Sequence, residues 1–320
     1  MKVLFIGGTG VISSACSVLA LETGIDLYLL TRGNSTRQLP NGVKQIIGDI
    51  RNPSSIKQQL QDFDVVVNWV AFEPDHIETD LELFKHVKQY VFISSASVYQ
   101  TPPQKLPVTE RTPIENPFWD YSQAKIACEE RLMAAKANGF PITIIRPSHT
   151  YDQTMLPVSG RWTIVDRMLQ GKPVIVHGDG TSIWTLTHHR DFAKGFVPLL
   201  GNEWAINESF HITSDEWLTW NQIFNQIGQA VNIEPNLIHV PSEYINRHDP
   251  DWGAGLLGDK AHSMIFDNTK VKSIVPEFKC TIPFHEGIKE IIFWHRADKR
   301  RQIIDQDLSS RMDNILSSLV

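Results

Sequence analysis

The sequence is poor in cysteine. Its 320 residues hold three, Cys16, Cys128 and Cys280, odd in number and far apart. That excludes a disulfide framework and a cysteine-based metal site, both of which need matched spacings. It fits a reducing, cytoplasmic setting, where thiols stay free. Long apolar runs are missing too, and none approaches the roughly 18 residues of a membrane span. No separate signal region precedes the first apolar stretch. Positive charge is not in excess: 30 Lys and Arg stand against 36 Asp and Glu, a net charge of -6. That argues against a general nucleic-acid binder. Histidine and carboxylate pairs such as His188, His189 and Asp191 lack a third histidine at motif spacing, so no metal is expected. Internal repeats and low-complexity tracts are absent. At 42% hydrophobic and 21% charged, the chain is globular and long enough to bury a large core.

What is present begins at Lys2. The run Lys2–Ile6 is apolar and strand-like, breaks into Gly7-Gly8-Thr9-Gly10-Val11-Ile12-Ser13, and passes into a helical stretch from Ser14 to Thr23. A buried strand, a glycine turn and a helix opening present backbone N–H groups and a helix dipole to a phosphate. Glycine is required where the turn is tight and the backbone must approach a pyrophosphate. Further strands are read at Tyr28–Thr31, Val43–Ile47, Asp64–Asn68, Tyr90–Ile93 and Ile142–Ile145. Between them lie a polar helix from Pro53 to about Gln61, an amphipathic one from Pro74 with Ile77, Leu81, Phe84 and Val87 at helical spacing, and a helix over Trp119–Asn138. Pro102, Pro103, Pro107, Pro113 and Pro117 make 101–117 a long loop. This alternation predicts an α/β fold: a Rossmann doubly wound parallel sheet in residues 1–148. Residues 149–320 are expected to form mainly a smaller α/β substrate domain, with some elements returning to the sheet. There, helices are expected at Arg161–Leu169, Phe192–Leu200, Trp217–Val231 and Phe284–His295. Residues 247–263, rich in Gly, Asp and His, read as a surface loop or lid, and 298–320 as a charged amphipathic tail.

Tyr121 and Lys125 stand four apart in the predicted helix, hence on one face. A lysine cation beside a phenol lowers its pKa, and the phenol then exchanges protons with a substrate hydroxyl. Ser94-Ser95-Ala96-Ser97 follows a strand at the sheet end where ligands bind in open parallel sheets. A hydroxyl there can hold the oxygen that Tyr121 protonates.

With these residues in place, the chain resembles the extended or atypical short-chain dehydrogenases/reductases, the NAD-dependent epimerase/dehydratase family. Gly7, Gly10 and Ser13 stand at the family's three glycine positions. Gly48-Asp49-Ile50-Arg51 matches the segment that holds the adenine, Asn68-Trp69-Val70-Ala71 the strand end beside the cofactor ribose, and Arg146-Pro147 the segment beside the nicotinamide. His177-Gly178-Asp179-Gly180-Thr181, His188–Asp191 and Phe266–Lys270 match later landmarks. The resemblance implies hydride transfer at a carbon bearing a hydroxyl or carbonyl. Tyr121 would be the acid/base, Lys125 its electrostatic partner and a cofactor-ribose ligand, and Ser95 the substrate anchor. Gly7, Thr9, Gly10, Val11, Ile12, Asp49, Ile50, Val70, Ala71, Lys125 and Pro147 would bind the cofactor.

The chain departs from the family in three places. Residues 71–91 are shorter than in sugar-nucleotide epimerases. Ala96-Ser97 replaces the Asp-Glu pair of the dehydratases. Trp184 stands where an arginine holds a substrate diphosphate, so Trp184, with Ser97 and His149, is expected to line the substrate pocket, and Trp162 and Trp252 to add aromatic walls. Leu30-Thr31-Arg32-Gly33-Asn34 offers no acid for a ribose 2′-hydroxyl, and Arg32, with Arg37 as helper, suits a 2′-phosphate. NADP(H) is therefore favoured over NAD(H). The leading expectation is an NAD(P)-dependent oxidoreductase of a small hydroxyl- or carbonyl-bearing molecule, possible as a homodimer. The alternatives are a sugar or nucleotide-sugar epimerase with tightly bound NAD, and a non-catalytic NAD(P)- or RNA-binding member like the chloroplast stem-loop-binding proteins.

Overall fold

The computed structural model describes residues 1–319; Val320, the last residue of the expected tail, lies outside them. Seven parallel strands form the central sheet: β1 (Lys2–Ile6), β2 (Asp26–Thr31), β3 (Lys44–Ile47), β4 (Val65–Asn68), β5 (Gln89–Ile93), β6 (Ile142–Pro147) and, after four short strands, β11 (Glu208–Ile212). Their order is β11-β6-β5-β4-β1-β2-β3. The short strands β7 (His149–Tyr151), β8 (Val174–His177), β9 (Ile183–Trp184) and β10 (Leu186–His188), with β12 (Leu218–Thr219) and β13 (Leu237–Val240), pair as β10-β7, β12-β9 and β13-β8. The sheet order reverses between β1 and β4, which opens the crevice where doubly wound sheets bind their ligands.

The inner strands are buried on both faces because their side chains alternate between two cores, while the edge strand β3 buries only Ile46. Val3, Phe5, Leu27, Leu29, Val65 and Val67 join one core with α1 (Val11–Glu22) and α5 (His189–Phe196). Leu4, Ile6, Leu30, Val66, Tyr90 and Phe92 join the other, beneath α2 (Pro74–Leu83) and α3 (Asp120–Ala137). A third core is drawn mainly from residues 151–315. It gathers α4 (Trp162–Leu169), α6 (Trp220–Ala230), α10 (Phe284–Arg296) and α11 (Gln306–Ser317).

The structure departs from the sequence reading in several places. Residues 53–61 make two 3-10 turns, Pro53–Ser55 and Lys57–Leu60, not one helix. Between them Ile56 leaves the helical region, at φ -122° and ψ -3°, because its side chain is drawn into the core over Gly48. A Cβ on Gly48 would lie 2.5 Å from Ile56 Cγ2. Helix α2 ends at Leu83, which leaves Val87 outside it. The stretch read as a surface loop is helical: α7 (Ser242–His248), α8 (Pro250–Gly255) and a π-turn, Leu256–Lys260. Asp249 caps α8 by accepting from Trp252 N–H at 3.1 Å, and Pro250 occupies its first turn. Its glycines serve close packing rather than looseness, since a Cβ on Gly258 would stand 2.7 Å from Trp119 Cβ. The expected tail is α11, tied down where Arg167 donates to Ser309 and Asp313.

Helix α3 is fastened to the sheet by a buried ion pair. Arg146 on β6 donates twice to Glu129, at 2.9 and 2.6 Å, with both side chains almost wholly buried. Removing one member of such a pair strands the other charge. Glu129→Gln is expected to cost about 3–5 kcal/mol in urea unfolding, with the m-value unchanged.

Candidate active site

The glycine turn leaves β1 with Gly7 at φ +102° and Gly8 at φ +96°, a region that side-chain-bearing residues rarely occupy. At Gly8 a Cβ would also sit 2.5 Å from Leu29 Cδ2, so that leucine would have to shift. Gly10 caps α1, and its N–H donates to Ser13 Oγ at 2.8 Å. The residue at the third glycine position thus closes the helix start itself. The first N–H groups of α1 lack helical acceptors and face the crevice.

Two cavities share this turn. The inner one, about 880 Å³, is lined by residues 7–13 and by Ser95, Ser97, Tyr121, Lys125, Pro147, His149 and Trp184. The outer one, about 560 Å³, is lined by Arg32, Asp49, Ile50 and Arg51. Gly7, Thr9, Val70 and Phe72 line both, so the two form one groove. Ala71 stands just behind it, buried. A glycine cradle, a helix N-terminus and a groove long enough for two nucleotide halves fit a dinucleotide.

The proton-transfer residues meet in the inner cavity. Ser95 follows β5 and caps the short turn Ala96–Val98 by accepting from Ser97 N–H. Its hydroxyl lies 2.9 Å from Ser97 Oγ, which in turn accepts from Ser122 on α3 at 2.8 Å. Lys125, nearly fully buried, donates to Ala71 O at 2.7 Å and Ile93 O at 2.8 Å. Its ammonium is 5.9 Å from the Tyr121 ring centroid. Burial lowers the Lys125 pKa to about 8. The expected drop in the Tyr121 pKa is not found. Burial pushes the phenol up to about 12, opposed by the Ser95 hydroxyl. The lysine is committed to backbone carbonyls, and desolvation outweighs its charge.

Other expectations divide. Trp184 does reach the cavity and stacks on Trp220, with centroids 6.0 Å apart, and its indole N–H has no partner. Trp162 and Trp252 do not line it. Trp162 stacks on His295 in the core, and Trp252 packs against that same core. Arg37 is not free for a phosphate, because it pairs with buried Asp152 at 2.5 Å and donates to Thr154 at 2.6 Å. Arg32 is exposed at the rim of the outer cavity. His188 caps α5, while Asp191 accepts from the Thr281 and Ile282 N–H groups, which gives that cluster structural work.

Sequence reasoning missed Trp119, Arg161, Asp259 and Lys260, all of which line the inner cavity. Asp259 and Lys260 pair at 3.0 Å, and Lys260 lies 5.4 Å from the Trp119 ring centroid. Burial raises the Asp259 carboxyl, and Lys260 opposes it. The Asp249-Pro250 helix start was the signal for this segment, masked by Gly253, Gly255 and Gly258. The cavity histidine His149 is held neutral by burial, at about 3.

The fold and groove define a Rossmann dinucleotide-binding protein of the short-chain dehydrogenase/reductase superfamily. The chain belongs to the NAD dependent epimerase/dehydratase family, whose model matches residues 3–212. It is 30% identical to UDP-glucose 4-epimerase of Lactobacillus helveticus, over 93% of this chain and 98% of that one. It is 29% identical to the chloroplast stem-loop binding protein of 41 kDa b of Arabidopsis thaliana, over 76% of this chain and 67% of that one. The solved UDP-glucuronic acid 4-epimerase of Bacillus cereus, in complex with UDP-glucuronic acid and NAD, superposes with a TM-score of 0.75 at 20% identity, covering 93% and 99% of the two chains. The chain is accordingly an NAD(P)-dependent enzyme of oxidoreductase or epimerase type. No helix of the described residues is long and apolar enough to cross a membrane.

Burial holds His177 at about 4, His188 at about 3 and His189 at about 4, alongside His149. Folded values below the unfolded one mean that the unfolded state binds more protons, so stability falls as pH drops below about 6.5. Two-dimensional NMR of the ring nitrogens should find these four histidines neutral down to about pH 5. Titration of any of them near pH 6.5 would refute its placement.

Proposed function

We propose that the chain is an epimerase of a sugar-class substrate, which oxidises a secondary hydroxyl to a ketone and returns the hydride to the other face. What carries this reading is the convergence of the glycine turn, Ser95, Tyr121 and Lys125 on one cavity. Likeness to a 4-epimerase along almost the whole of both chains supports it. A nicotinamide dinucleotide, when bound, supplies the hydride acceptor and donor. Gly7, Thr9, Gly10, Val11 and Ile12 would cradle its pyrophosphate. Asp49 and Ile50 would face its adenine half, Val70, backed by the buried Ala71, its ribose, and Pro147 its nicotinamide.

Tyr121 removes the hydroxyl proton as the C–H hydride leaves, and returns it when the hydride comes back. A phenol at about 12 is loaded as an acid at neutral pH. To act as a base it needs the Lys125 charge turned toward it, away from the carbonyls that hold it here. Ser95 holds the substrate oxygen. Ser97 fixes Ser95, and His149 and Trp184 wall the substrate side. The cycle has no net redox demand, so the cofactor need never leave.

One observation favours a second reading, a reductase with exchangeable NADP(H). Arg32 lines the outer cavity, and Thr31, at the end of β2, offers no carboxylate.

Denaturing the purified protein and identifying the released nucleotide separates the two. Stoichiometric NAD supports the epimerase. An empty protein that binds NADPH more tightly than NADH moves the assignment to the reductase. Tyr121→Phe is expected to lower turnover of a nucleotide-sugar or free-sugar panel by roughly 10²-fold or more at unchanged Tm. Full activity in that variant would remove Tyr121 from the mechanism.

A further inference from the structure

Asp80 lies in α2, fully buried beneath the end of β4. Its Oδ2 accepts from the Tyr90 hydroxyl at 2.5 Å and from Asn68 Nδ2. The same Asn68 amide turns its Oδ1 outward and accepts from Val70 N–H at 2.8 Å. Val70 O in turn accepts from the Arg51 guanidinium. Val70 lines both cavities and Arg51 the outer one. Across the groove Gly7 packs against this turn so closely that a Cβ there would stand 3.1 Å from Trp69 Cβ and 3.3 Å from Val70 Cγ1.

An amide is ambiguous, since rotation by half a turn exchanges its donor and its acceptor. Only an obligate acceptor at position 80 forces Nδ2 inward and so leaves Oδ1 for Val70 N–H. An ionised carboxylate is such an acceptor; a protonated one, or an amide, is not. We propose that Asp80 is a positioning residue for cofactor binding: its carboxylate sets the Asn68 amide, and through it the Val70 backbone that borders the groove. The inference rests on the reading of that groove as the dinucleotide site.

The surroundings make the device sensitive to pH. Asp80 Oδ1 has no partner. Arg51 faces the carboxylate from the segment after β3, Tyr90 from β5 and Cys128 from α3, with His76 one turn earlier on α2. Burial raises the carboxyl to about 6, opposed by the Tyr90 and Asn68 hydrogen bonds and by Arg51. As pH falls through that value Asp80 gains a proton and its grip on Asn68 slackens. Cofactor affinity should therefore fall with it.

The test is NADH titration by fluorescence from pH 5 to 8, on protein first stripped of any nucleotide it retains. Wild type should bind about three- to tenfold more weakly at pH 5 than at pH 7.5, the worth of one hydrogen bond. Asp80→Asn should be weak and lose that step, while His76→Gln should keep it. Tyr90→Phe removes a bond that holds the carboxylate ionised, so its midpoint should move to higher pH, a shift that mere loosening of the core does not produce. It also serves if Asp80→Asn fails to fold. Wild-type affinity in folded Asp80→Asn, an unmoved midpoint in Tyr90→Phe, or a flat wild-type profile overturns the role of Asp80 alone. Failure of wild type to bind NADH at any pH overturns the dinucleotide reading as well.

Discussion

One side chain holds the candidate site together. Lys125 reaches from α3 to the carbonyls of Ala71 and Ile93, at the ends of β4 and β5. A buried ammonium is costly unless its donors are satisfied. Here two backbone acceptors satisfy it, and the requirement fixes the register of α3 over the crevice. Tyr121 is carried one turn away on the same helix, so its place above the serine cluster follows from the lysine. Arg146 and Glu129 fasten the middle of α3, one turn beyond Lys125. The helix is therefore pinned by charge on two successive turns, and Leu132 and Ala135 pack its last turns beyond them.

Much of this was legible in the chain itself. Strands with both faces buried give continuous apolar runs, and a glycine turn after the first of them has few structural meanings, so the fold and the groove-lining residues 7–13 could be read directly. The Tyr121–Lys125 spacing was legible for the same reason, because helical periodicity is local. What could not be read was non-local. The drop expected in the phenol pKa assumed a lysine turned toward it, and only the folded strand ends reveal the competing carbonyls. Asp259 and Lys260 were hidden because Gly253, Gly255 and Gly258 read as a loop. The absent side chains of Gly255 and Gly258 answer instead to Trp119, distant in sequence, and that of Gly253 to Asn246 on the preceding helix. Arg37 looked like a phosphate ligand until Asp152 came into view.

The substrate side of the cavity differs in character from the cofactor side. Backbone N–H groups and glycine dominate near β1. Near α8, aromatic rings and a self-neutralised Asp259–Lys260 pair dominate. Charge that is already paired inside a cavity adds little net attraction for an ionic ligand, yet still presents donors and acceptors to hydroxyl groups.

The strand β11 has a consequence for how the molecule is made. It joins the sheet beside β6, yet it is separated from β6 by about sixty residues of chain that build other parts of the molecule. A nascent chain emerging from the ribosome exposes β6 as a bare edge, with Phe210 and Ile212 still missing from the core beneath it. Unpaired parallel edges invite mispairing, and N-terminal segments fold first during synthesis. The sheet is complete only once Ile212 has emerged, and the family match ends at that same residue. A fragment that stopped earlier would carry every residue of the glycine turn and the whole of α3, and still lack the strand that closes their platform.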